Sequence, residues 1–98
     1  MDNEEFIRQV KAGEVLPTNH TVILRDEQQG GELYMMDFEA WQIHLHYDAV
    51  GELIKGHLKG IGNQQDIRDQ IYQVDADLIL ERMRLLAQDG TIKMRHDS

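Results

Sequence analysis

The chain has 98 residues, five histidines, no cysteine and a formal net charge of −8. That length gives one domain with a single modest core, and the missing thiols exclude disulfide scaffolds and thiolate zinc sites. An acidic chain also lacks the basic stripe that nucleic-acid binding draws on, so no nucleic-acid partner is expected.

No apolar run approaches ~18 residues, so no membrane span is expected. The acidic N-terminus MDNEEFIRQ has no apolar signal core, which points to a cytoplasmic protein. Residues 2–12 read as a short helix. Acidic groups crowd its first turn, and Phe6, Ile7 and Val10 form a narrow apolar face. Gly13 stops it, and LPTNH links it to TVILR, a strand candidate rich in β-branched residues. The turn DEQQGG follows, then ELYMMDF as the second strand of a hairpin.

WQIHLHYD, from Trp41 to Asp48, alternates without a break. Trp41, Ile43, Leu45 and Tyr47 take one parity; Gln42, His44, His46 and Asp48 take the other. That is the pattern of a half-buried strand over 41–47. A helix through Phe38, Trp41, Leu45 and Ala49 stays open, because Ala40, Gln42 and Leu45 are not strand formers.

Three helices are expected next. In DAVGELIKGHLKG, Val50, Leu53, Ile54 and Leu58 recur at helical spacing, with Asp48 as N-cap. NQQDIRDQIYQ has Asn63 as N-cap and Asp66 in the capping-box position. VDADLILERMRLLAQDG is the strongest, capped by Asp75 and closed by Gly90. TIKMR reads as a last short strand.

A hairpin, a third strand and three helices, the last one long, resemble one branch of the winged-helix fold, the PqqD-like peptide chaperones, or RiPP recognition elements. The resemblance runs through HTVILRDEQQGGELYMM, AWQIHLHYDAVGELIKGHLKG, NQQDIRDQI and VDADLILERMRLLAQDGTI. Members often carry Asp-Gly after the first helix, where this chain has Lys59-Gly60, and the helix at 2–12 is extra. The resemblance implies a single α+β domain, 1–98. Residues 20–98 would be a winged-helix-like core, a three-stranded antiparallel sheet followed by three helices. Residues 1–13 would be an N-terminal helical extension.

The resemblance also implies a function without chemistry. A precursor (leader) peptide adds as a strand to the sheet edge at 41–47 and is presented to a modifying enzyme, in the best-known case a radical SAM enzyme. Trp41, Ile43, Leu45 and Tyr47 would face the peptide, and Leu78, Arg82 and Leu85 would line a groove. Two alternatives come from other classes: an acidic winged-helix regulator acting through dimerisation or contact with a transcription protein, and a small histidine-based metal-binding protein.

His44-x-His46 puts two imidazoles on one strand face, ~7 Å apart. Further ligands would have to come from His20, His57 or His96, and no spacing identifies them. Two solvated histidines are the expectation, with no metal and no cofactor. No phosphate loop and no nucleophile–base motif is present, so no enzyme activity is expected.

Overall fold

The computed structural model describes residues 3–61 and 69–97. Along them run α1 (Asn3–Ala12), β1 (Thr21–Asp26), β2 (Gly31–Asp37), β3 (Trp41–Tyr47), β4 (Leu53–Gly60), β5 (Asp69–Gln70), α2 (Gln73–Gln88) and β6 (Met94–Asp97). The strands form one mixed sheet in the order β5-β4-β3-β2-β1-β6, with two-residue β5 at one margin. From β1 to β4 the chain is an antiparallel meander. Helix α2 then carries it back across the sheet, and β6 joins β1 in parallel.

One core holds the layers together. Phe6 and Val10 of α1 and Ala76, Ile79, Leu80 and Met83 of α2 bury against Ile23, Tyr34, Met36 and Leu58 of the sheet. Each fully buried aliphatic side chain contributes about 1.5–3 kcal/mol. The Phe6 ring stands edge-on to Phe38 at 5.2 Å and tilts toward Trp41 at 6.1 Å. Residues 1–13 were expected as an appendage, yet α1 fills this same core.

The expected order of three strands followed by three helices does not form. The strands expected at 21–26, 32–38 and 41–47 lie within a residue of their observed ends, and α2 starts two residues before Asp75. The first of the three expected helices is instead β4. Its inward positions are Gly56, Leu58 and Gly60, opposite Leu45, Ile43 and Trp41. Lys55, His57 and Lys59 take the other face. A glycine facing inward does not register as apolar, so the period of two was hidden.

Asp48 was expected to cap that helix. It makes a turn instead, accepting from the backbone N–H groups of Val50 at 3.0 Å and Glu52 at 2.9 Å. Gly51 closes the turn at φ 84°, a conformation that suits glycine. The second expected helix, with Asn63 and Asp66, falls mostly outside the described residues; its end at 69–70 is β5. The third survives as α2, but Tyr72 is its N-cap, and Asp75 in the first turn binds Lys11 of α1 at 2.8 Å.

Gly56 has a second role. The Ile71 N–H donates to the Gly56 carbonyl at 2.8 Å. A Cβ at 56 would stand 2.8 Å from the Ile71 carbonyl oxygen and 3.1 Å from the Ile71 Cβ. Backbone cannot move aside as a side-chain tip can. Gly56→Ala is therefore expected to destabilise the protein by about 1–3 kcal/mol, the usual cost of overpacking. Urea unfolding of the variant measures it; an unchanged midpoint would show that the chain after β4 does not pack here.

Candidate interaction surfaces

Strand β3 decides which residues a partner can reach. It was expected at a sheet edge, but it has β2 on one side and β4 on the other. No ladder position is left for an added peptide strand. Trp41, Ile43, Leu45 and Tyr47 were expected to face that peptide, and they lie under the helices at 4%, 0%, 0% and 7% exposure. Both helices pack on one face of the sheet, and these four side chains are what they pack on.

The expected groove is also absent. Arg82 turns sideways to α1, where its Nε donates to the Lys11 carbonyl at 3.2 Å. Leu78 and Leu85 point outward from α2, on the side opposite its buried residues Ala76, Ile79, Leu80 and Met83. With Val74 they form a stripe at spacings of four and seven, exposed by 71%, 43% and 48% from Val74 to Leu85. Glu81 lies within the stripe and Asp77 beside it.

Among the described residues, no helix lies on the far face of the sheet. Register places Val22, Leu24, Leu33 and Met35 there, next to His44 and His46 of β3 and His57 of β4. His44 and His57 are directly opposed, with ring centres 4.8 Å apart and planes at 67°. His46 stands opposite Lys55 instead and lies 3.9 Å from Asp26. The histidine pair of the structure is thus His44 with His57, not His44 with His46. His57 was missed because its segment read as a helix. The alternation Lys55, His57, Lys59 was the signal that could have placed it.

A short relay orients His44. Gln42 donates through Nε2 to Asp37, and its Oε1 lies 2.7 Å from His44 Nε2. Burial, reinforced by the neighbouring His57, holds the His44 imidazole below its ordinary pKa.

On the helix side, Arg25, Tyr34, Tyr47 and Arg84 line a cleft of about 510 Å³. The Tyr47 hydroxyl donates to Asp77 at 3.0 Å, and that of Tyr34 to Glu32 at 3.2 Å. Burial raises the pKa of both hydroxyls, so they are poor acids and poor nucleophiles at neutral pH. Among the described residues, no group of three or more His, Asp or Glu side chains is placed to hold a metal ion. Among the same residues, no helix is long and apolar enough to cross a membrane.

The His44 shift has a consequence for stability. The unfolded chain binds a proton at His44 near its ordinary value of 6.5, while the folded chain binds it only at lower pH. The unfolded state therefore takes up more protons as pH falls below that value, and stability drops. His44→Gln should flatten this part of the profile. Urea midpoints between pH 8 and pH 5, with EDTA present, test it; parallel profiles for the two proteins would contradict it.

Comparison of the chain with protein-family profiles, with curated proteins and with solved structures finds no match.

Proposed function

We propose that the chain is a non-catalytic protein-binding module that docks a basic amphipathic helix of its partner along the outward stripe of α2. The observation that carries this reading is the exposure of Val74, Leu78 and Leu85 on one line of a helix whose opposite side is fully used by the core. Apolar residues at spacings of four and seven are the anchor pattern of helix-against-groove recognition.

Magnitude limits what the stripe can do alone. Three anchors contribute on the order of 5 kcal/mol when buried. Association costs about 4–15 kcal/mol in lost freedom. Charge supplies a further attraction and the direction of approach. The chain carries −8 overall, and on α2 Asp77 and Glu81 flank the leucines together with one cation, Arg84. A partner helix with lysine or arginine beside its apolar ridge meets those carboxylates and is steered to them.

The partner class implied by the resemblance, a leader peptide with its modifying enzyme, rested on a free edge at β3. The sheet offers no such edge. Among the described strands, a peptide of that class is left with the two ends of the order, two-residue β5 and, at the other end, β6. Four residues make a short template, and Arg95, His96 and Asp97 place charge along it, a usual device against edge pairing.

Site-specific photo-crosslinking in cells that make the protein tests the reading. A photoreactive side chain at Leu78 should trap one discrete partner. Leu85→Glu should reduce that product at least tenfold, because it sets an unpaired carboxylate where an apolar anchor docks. At so exposed a position the change should cost no more than about 0.5 kcal/mol of stability. A probe at Gln28, in the β1–β2 turn, should trap nothing. Trapping from Arg95 but not from Leu78 would move the site to the sheet edge and overturn the reading.

A further inference from the structure

The sheet face on which no described helix lies carries an arrangement that the α2 stripe does not use. His44 and His57 oppose each other across neighbouring strands, with ring centres 4.8 Å apart. Two imidazoles bound to one tetrahedral ion, each nitrogen about 2.0–2.1 Å from the metal, have ring centres roughly 5 Å apart. The pair stands at that separation already.

The relay behind His44 is of the kind that metal-ligating histidines use. Gln42 spends its amide N–H on Asp37, which turns its Oε1 to His44. His44 Nε2–H then donates to that oxygen at 2.7 Å. In a neutral ring this leaves Nδ1 as the electron-pair donor. Fixing the tautomer through the nitrogen that does not bind metal is the recurring role of outer-shell partners.

One chain supplies only half of a closed site. A structural zinc takes four ligands, and no third His, Asp or Glu joins the pair among the described residues. The surroundings of the pair fit a second copy of this chain. Although the chain carries −8, the strands on this face are balanced: Lys55, Lys59 and Arg95 offset Asp26, Asp37 and Asp97. Like-charge repulsion between copies is therefore weakest here. Val22, Leu24, Leu33 and Met35 supply an apolar strip beside the histidines.

Dimensions agree. Sheets packed face to face lie about 10 Å apart, which puts an ion at the midplane about 5 Å from each, within reach of an imidazole. A face five strand spacings wide and some seven residues tall covers roughly 500 Å². Two such faces bury about 1,000 Å², the lower limit for a specific interface. Contact alone is marginal, so the ion has a decisive part.

We propose that His44 and His57 form half of a four-imidazole site for a divalent transition metal, completed by the same pair of a second copy docked face to face on the open sheet. The site takes ions that favour imidazole: zinc, nickel or copper. It stands apart from the α2 stripe, which points outward in such a dimer, so the two readings fail independently.

The test uses the full chain, stripped with EDTA and titrated with zinc chloride under light scattering. The mass should double from 11.4 kDa at one zinc per two chains, and EDTA should reverse it. His44→Gln and His57→Gln should stay single at the same zinc concentration. His46→Gln, on the same face but opposite Lys55, should behave as the parent. Gln42→Leu should weaken zinc binding by about tenfold or more through loss of the relay. Should a histidine variant fail to fold, nickel added to the parent protein replaces it. Nickel should broaden the His44 and His57 ring signals before those of His20, His46 and His96. Zinc bound without a change in mass, a dimer that EDTA leaves intact, dimerisation of folded His57→Gln, or nickel broadening that spares His44 and His57 would each overturn the proposal.

Discussion

Everything in this molecule depends on the period of two in β3. Trp41, Ile43, Leu45 and Tyr47 must leave water together, and the strand can bury them only on one face. Both helices collect on that face. Phe6 of α1 meets Trp41, and the Tyr47 hydroxyl reaches Asp77 of α2, so each helix is tied to a β3 aromatic. The same parity sends His44 and His46 to the other side. A slip of one residue would bury two imidazoles and expose a tryptophan, an isoleucine and a leucine.

The second consequence is topological. A strand so fully covered by helices has neighbours on both sides as well, because a buried ladder edge would leave backbone groups without partners. β2 and β4 provide them. Among the described residues, a central β3 then fixes where partners can approach: the outer side of α2, the open face of the sheet, or the margins at β5 and β6. The helices and loops together carry the net negative charge, whereas the open face is charge-balanced, so the two suit different partners. The first favours a basic one, and the second tolerates a copy of itself.

Much of the fold was legible where side-chain chemistry alone sets the pattern. The hairpin, β3 and α2 are read from β-branched residues, alternation and the recurrence of Leu78, Ile79, Met83, Leu85 and Leu86. The face that α2 buries is nonetheless Ala76, Ile79, Leu80 and Met83, with Leu78 and Leu85 outside. β4 was not legible, because two of its three inward positions are glycines and Leu53, Ile54 and Leu58 imitate a helical spacing. Only the approach of the Ile71 backbone, far along the chain, explains Gly56. Pairing of β6 with β1 is non-local in the same way. The candidate surfaces divide along this line. Leu78, Leu85 and His44 stood out on their own, whereas His57 became the partner of His44 only once β4 was a strand. Trp41 and its parity mates were recognised as a coherent face, but nothing local told whether a peptide or the protein's own helices covered it.

Hydrogen exchange at the amides of β3 tests the central position of that strand most directly. With neighbours on both sides, the amides from Gln42 to His46 should exchange only through global unfolding, at the same free energy that urea reports for the whole protein. Fast exchange at alternate residues of this stretch would mark β3 as a free edge. It would contradict the sheet order, the sealed helix face and the pairing of His44 with His57 together.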